Sequence, residues 1–244
     1  MHDDPTFEDI RAAAGRIAPH IHRTPVATCA SIDAIAGATL FFKCENLQKV
    51  GAFKARGATN AVFSLSDEEA AKGVCTHSSG NHAAALARAA SLRKIPAYIV
   101  VPSSAPPVKR AAVAGYGAQI TECEPTLEAR ESTLAEIRER TGASFIHPYD
   151  NPRVIAGQGT AALELLEQTP SLDVVMAPVG GGGLASGTVV TVSRLRPEID
   201  IWGAEPAGAD DAHRSLRDNT LYPSVQPITI ADGLLTSLSD RTFR

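Results

Sequence analysis

The chain has 244 residues, 44% of them hydrophobic and 20% charged, with a formal net charge of −4. That balance describes a globular protein with a sizeable core, as one large domain or two smaller ones, and an acidic chain without a basic stripe is not built for nucleic acid. No apolar run approaches a membrane span. Cys29, Cys44, Cys75 and Cys123 form neither a C-x-x-C pair nor a zinc spacing, so reduced thiols and a cytoplasmic location are expected.

The first twenty residues, MHDDPTFEDIRAAAGRIAPH, are acidic and then amphipathic, with no apolar leader. A strand is predicted over ATLFFKCE (38–45), then a helix over 55–65. GVCTH (73–77) reads as the next strand, followed by a helix at 82–93 and strands at 96–102 and 118–124. The run EARESTLAEIRERTGA predicts a helix over 127–141, with Leu134 and Ile137 on one face and a glycine-containing stop. Helix 157–168, strand 173–179, helix 184–195 and strand 200–205 complete the alternation. Apolar strands alternating with helices predict an α/β protein on a largely parallel sheet, with ligand loops at the C-terminal ends of the strands. Residues 67–145 hold three of the strand–helix units. They are expected to form a small domain inserted in a larger one made of 1–66 and 146–244.

Four places carry chemistry. Lys54, in QKVGAFKARGATNAV, follows Phe53 and is surrounded by small residues. It is either a lysine lying along an apolar surface at a helix start or an amine kept unprotonated for nucleophilic work by burial and the positive end of a helix. In THSSGNHAAALARAA, Ser78, Ser79, Asn81 and His82 open a helix; capping explains one or two of them, while the set together suits a substrate carboxylate. APVGGGGLASG places four consecutive glycines between a strand and a helix, an anion cradle of bare N–H groups. Its Gly180, Gly182 and Ala185 also fit a loose dinucleotide fingerprint, with Glu205 at the end of the next strand, so the loop alone does not choose between a dinucleotide and a smaller phosphorylated cofactor. In AEPAGADDA, Glu205, a carbonyl near Ala209 and Asp211 are hard oxygen donors, though such a loop is ordinarily just solvated.

KCENLQKVGAFKARGATNAV, SSGNHAAALA and PVGGGGLASG, in that order, closely resemble the fold-type II pyridoxal-phosphate enzymes, tryptophan synthase β-like in fold, and in particular the serine racemase and serine/threonine dehydratase family. The resemblance runs from about residue 8 to the end and includes VIAGQGTAALELL and TIADGLLTSL. It implies two lobes, each with a mainly parallel sheet flanked by helices. It also implies that Lys54 joins pyridoxal 5'-phosphate through its amine and acts as a base, with Phe53 and Gly233 on the two faces of the cofactor ring. Asn81 would meet the ring hydroxyl, and Gly180, Gly181, Gly182, Gly183 and Leu184 would hold the phosphate. Ser78 and His82 would lie by the substrate carboxylate, and Arg130 would help close the small lobe over it. Glu205, Ala209 and Asp211 match the Mg²⁺ or Ca²⁺ site of the racemase-like branch, with a structural or activating role.

The activity so implied is an ammonia-lyase that dehydrates a β-hydroxy amino acid of the L-serine or L-threonine type to a 2-oxo acid and ammonia. The alternatives are serine racemase and a threo-3-hydroxyaspartate dehydratase. Ser79 bears on that choice: in the racemase-like branch it faces the cofactor opposite the lysine, where it can deliver a proton, and it is also a helix-capping residue. Two departures from the family pattern are Ala52, where serine is common, and Ala84, where glutamine is frequent. The family further implies a homodimer, with no nucleic-acid or membrane partner. Because family members continue past the position of Arg244, the chain is also expected to be C-terminally truncated. A cofactor-binding remnant without activity is the reading of another class.

Overall fold

The structure, a computed structural model, describes residues 4–78, 80–169 and 171–244. Helix α1 (Phe7–Ile17) starts at a Thr6–Asp9 capping box and buries Ile10, Ala13 and Ile17. A short antiparallel pair follows, β1 (Val26–Ala27) with β2 (Phe42–Lys43), around helix α2 (Ala30–Ala36). The strand predicted over 38–45 therefore shrinks to two residues. Past Lys43 the chain turns into two consecutive 3₁₀ turns, Glu45–Leu47 and Lys49–Gly51, and Lys43 itself reaches inward to an ion pair instead of extending a sheet.

Helices α3 (Lys54–Phe63) and α4 (Asp67–Lys72) lead into a four-stranded parallel sheet. Its strands are β3 (Val74–His77), β4 (Ala97–Pro102), β5 (Gln119–Cys123) and β6 (Ser144–Phe145), in the order β5-β4-β3-β6. Side-chain alternation serves two cores. Val74, Ile99 and Val101 face α5 (Asn81–Arg93) and α6 (Pro107–Ala114), while Cys75 and Val100 face α7 (Leu127–Thr141). Alanines at 83, 85, 87, 89 and 90 let α5 come close to the sheet. The largely charged α7 is attached through Leu134 and Ile137, each worth about 1.5–3 kcal/mol when buried, so these two residues decide its seat.

Helix α8 (Pro152–Gln168) starts five residues earlier than its apolar spacing suggests. The Asn151 side chain caps the N–H groups of Arg153 and Val154, and Pro152 occupies the first helical position. A parallel pair, β7 (Val174–Pro178) and β8 (Asp200–Ala204), flanks α9 (Gly183–Leu195). Helices α10 (Asp211–Asp218) and α11 (Asp240–Phe243) come last. The α/β class with mainly parallel strands is as expected.

Helices α3, α8 and α9 meet backbone to backbone. A Cβ on Gly157 would lie 2.6 Å from Gly57 Cα, and one on Gly187 would lie 2.6 Å from Gly159 N. Gly157→Ala should therefore cost about 1–3 kcal/mol or more through overpacking. Gly15→Ala, inside α1 with nothing within 4 Å of its Cβ, should stabilise by about 0.5–1 kcal/mol. Denaturant melts of the two variants check this; equal effects would contradict the close packing.

Candidate active site

Lys54 opens α3, and its Nζ donates to the Pro148 carbonyl at 2.7 Å, 5.2 Å from the Phe53 ring centroid. Burial pulls its pKa down to about 8, far below that of a solvated lysine. Of the two sequence readings for Lys54, the half-buried side chain with its amine bonded inward to a carbonyl fits the second better than a lysine lying along an apolar surface.

The partner carbonyl belongs to a turn, Ile146 to Asp150, between β6 and α8. Tyr149 packs on the glycine loop: a Cβ on Gly181 would drive into its ring, and one on Gly183 would meet Tyr149 Cα and Cβ at 3.0 Å. Gly180 faces the other way, and a Cβ there would lie 3.2 Å from both Gly233 O and Leu234 Cα. The loop is thus clamped between Tyr149 and the 3₁₀ turn Asp232–Leu234. Gly182 takes a positive φ of 84° as the residue before α9, and the first N–H groups of that helix, at Gly183, Leu184 and Ala185, have no partner within the helix.

The third sequence motif converges on the same place. Asn81 begins α5 and is exposed, while His82 is 2% exposed, with Nε2 on Ile146 O at 2.9 Å and a buried, unpartnered Nδ1. Burial, then the nearby Lys54 charge, drives the His82 pKa down to about 3. Ser78 Oγ accepts from Gly80 N at 3.4 Å. Ser79 lies outside the described residues. Arg130, on α7, has a buried Nε without a hydrogen-bond partner and acts electrostatically on His77.

Sequence reasoning missed His147, Tyr149 and Asp150. His147 Nδ1 accepts from the N–H groups of Asp150 (2.8 Å) and Tyr149 (3.3 Å). Its ring lies edge-on to Tyr149 at 4.5 Å and to Phe145 at 5.7 Å. Burial lowers its pKa to about 4. Asp150 accepts from Arg241 of α11 at 2.8 Å. The one signal in the sequence was the stretch HPYDN between a strand and a helix.

In the acidic loop, the Glu205 carboxylate caps α10, accepting from Ala212 N (3.2 Å) and His213 N (2.7 Å). Asp211 is 2% exposed, with the Ser224 hydroxyl as its side-chain neighbour, and burial raises the pKa of both acids. Among the described residues no three His, Cys, Asp or Glu side chains gather as a metal group. A cation here would rest on two carboxylates and the carbonyl of the buried Ala209.

Residues 17–244 match the protein family described as "Pyridoxal-phosphate dependent enzyme". The chain belongs to this family. It is 56% identical over 239 residues to beta-hydroxyaspartate dehydratase of Paracoccus denitrificans (strain Pd 1222), covering 98% of this chain and 76% of that one. It is similar to the crystal structure of serine racemase from Dictyostelium discoideum, at TM-score 0.94 and 54% identity over 98% of this chain and 77% of that one. A crystal structure of T.th. threonine deaminase is similar at TM-score 0.92 and 44% identity, over 98% of this chain and 78% of that one. All are fold-type II pyridoxal-phosphate enzymes, and the dinucleotide reading of the glycine loop falls away. Among the described residues no helix is long and apolar enough to cross a membrane.

The depressed histidines of this pyridoxal-phosphate enzyme set a pH dependence. Folded His82 and His147 titrate near pH 3 and 4 and the unfolded side chains near 6.5, so the unfolded chain takes up protons first. Stability present above about pH 6.5 should be lost as pH falls toward 3. His82→Gln keeps a donor for Ile146 O without a titrating group, so its melting temperature should fall less steeply between pH 7 and 4. Parallel slopes would contradict the assignment.

Proposed function

We propose that the chain is an ammonia-lyase dehydrating a β-hydroxy amino acid to a 2-oxo acid and ammonia, with Lys54 as its catalytic amine. The observation that carries this reading is the Lys54 amine, poised near pH 8 and joined through Pro148 and Tyr149 to a glycine loop at a helix start. The residues fit pyridoxal phosphate. Glycine is required at 181 because a Cβ there would strike the Tyr149 ring, α9 offers its first N–H groups to a phosphate, and the lysine is partly neutral near pH 8. Lys54 would hold the cofactor covalently, Phe53, Asn81 and Gly233 would contact its ring, and Gly180 to Leu184 would hold its phosphate.

When bound, the cofactor supplies the electron sink that makes the substrate α-proton acidic. Lys54, neutral in part near pH 8, takes that proton. The β-hydroxyl leaves as water, and one water is regained in hydrolysis, so the net products are the 2-oxo acid and ammonia. Ser78 and His82 flank the substrate carboxylate. The unpartnered Arg130 Nε offers a charge-assisted bond to a carboxylate. The likeness to the Paracoccus denitrificans dehydratase supports 3-hydroxyaspartate as a substrate beside serine and threonine.

The likeness to serine racemases supports a second activity, in which Ser79 supplies a proton on the face opposite Lys54. Glu205, Asp211 and the Ala209 carbonyl are proposed to hold Mg²⁺ or Ca²⁺; the buried Asp211 carboxylate beside the Glu205 carboxylate supports a hard cation there, in a structural or activating role. A homodimeric, cytoplasmic enzyme fits the family resemblance.

One assay series tests these points. Protein loaded with pyridoxal phosphate is given serine, threonine or 3-hydroxyaspartate, and oxo acid and the chirality of recovered amino acid are measured. Borohydride should fix the cofactor on Lys54, and Lys54→Ala should lose both labelling and turnover. Ser79→Ala should suppress racemisation more than dehydration, and a chelator should lower the melting temperature without changing the product. Labelling at another lysine, or an absence of oxo acid from all three substrates, would overturn the lyase reading. Indifference to chelation would remove the cation.

A further inference from the structure

Every residue of the 146–150 turn holds something. Ile146 O bonds His82 Nε2, Pro148 O receives the Lys54 amine, Tyr149 packs on Gly181 and Gly183, and Asp150 takes Arg241. His147 alone holds the turn itself. Its Nδ1 accepts the N–H groups of both Tyr149 and Asp150, so the side chain does the work of a backbone carbonyl that no helix or strand supplies here. The ring has little freedom to leave, because Phe145, Tyr149 and, at 6.3 Å, His77 enclose it edge-on.

We infer that His147 is a positioning residue for Lys54: by accepting two turn amides at Nδ1, it fixes where Pro148 O meets the amine and where the Tyr149 ring supports the glycine loop. This rests on the proposed role of Lys54 and adds to it a residue that acts through the turn. An acceptor Nδ1 requires a neutral ring with its proton on Nε2. The groups around it pull in opposite directions: Asp150 favours the imidazolium, while burial, the largest effect, together with His77 and Lys54 opposes it. The Nδ1 lone pair is therefore available wherever Lys54 is partly neutral.

Two near-isosteric variants separate the acceptor atom from the ring that carries it. In His147→Asn the amide oxygen occupies roughly the place of Nδ1; in His147→Gln the carboxamide sits further out, near the place of Nε2. Both are prepared as full chains. Amide hydrogen exchange at Tyr149 and Asp150 is measured without cofactor, and kcat, KM and the pH of half-maximal rate are measured with pyridoxal phosphate bound. His147→Gln should exchange both amides roughly fivefold to tenfold faster, as expected for losing a hydrogen bond each, and lose roughly 10–100-fold in kcat with little change in KM, as for a displaced catalytic group. His147→Asn should restore most of both and return the pH of half-maximal rate toward wild type.

Equal kcat loss in both variants with the two amides still protected would overturn the inference, since the ring itself would then be what matters. So would wild-type exchange and kcat in His147→Gln. If the wild-type chain itself fails to bind the cofactor at Lys54, the lyase reading falls. The exchange measurement still decides the role of His147 in the turn.

Discussion

Arg56 is 0% exposed, and its guanidinium is held on two sides by carboxylates. Nε and Nη2 bond Glu45 at 2.7 and 2.8 Å, and Nη1 and Nη2 bond Glu164 at 2.8 Å each. Lys43 adds a second cation, on Glu164 at 2.6 Å, and also bonds Thr24 O and Gln168. Two cations and two anions leave the cluster neutral, and nearly every polar atom has a partner, which is the condition under which charges tolerate burial. Removing a single member would leave a buried charge uncompensated, at a cost of about 3–5 kcal/mol. The cluster ties α3, α8 and the 3₁₀ turn at Glu45 together. Arg56 stands two residues beyond Lys54 on the same first turn of α3, so the backbone of Lys54 inherits that arrangement. Gly57 and Gly157 close the contact from the adjoining positions.

On the far side of Lys54 the constraint changes in kind. There the amine meets a carbonyl and an aromatic ring, with no carboxylate among the groups that set its titration. Paired charges hold the backbone, while the amine itself is buried against a neutral carbonyl. A carboxylate beside Lys54 would have raised its pKa and removed the neutral fraction that a base at neutral pH requires. The separation of the two environments across one helical turn is what the α3 sequence KARG accomplishes: Lys54 toward the 146–150 turn and Arg56 toward the ion cluster.

Much of this was legible in the sequence, for identifiable reasons. The glycine run and the crowded lysine are local signals, each abnormal without a ligand, and α7 showed its Leu134 and Ile137 face through simple periodicity. The 38–45 strand was misjudged because apolar content alone does not reveal that Lys43 must turn inward to Glu164. The ion cluster was invisible because Glu45, Arg56 and Glu164 meet only in the folded chain, and each looks like an ordinary surface charge by itself. The 146–150 turn has no period, and its side chains act on backbone carbonyls and amides whose place only the folded chain sets. Glu205 was read as a metal donor from its neighbours, whereas its bonds to Ala212 and His213 show that it also caps α10.

Above all, the fold holds the Lys54 amine in a place where burial keeps it partly neutral at working pH. Competitive reductive methylation of the cofactor-free chain, with peptide mass spectrometry reading each lysine across pH, measures this directly. Lys54 should reach half its maximal reactivity near pH 8, while the same peptide from unfolded chain titrates near 10.5. Half-reactivity of Lys54 near 10.5 in the folded protein would contradict the account.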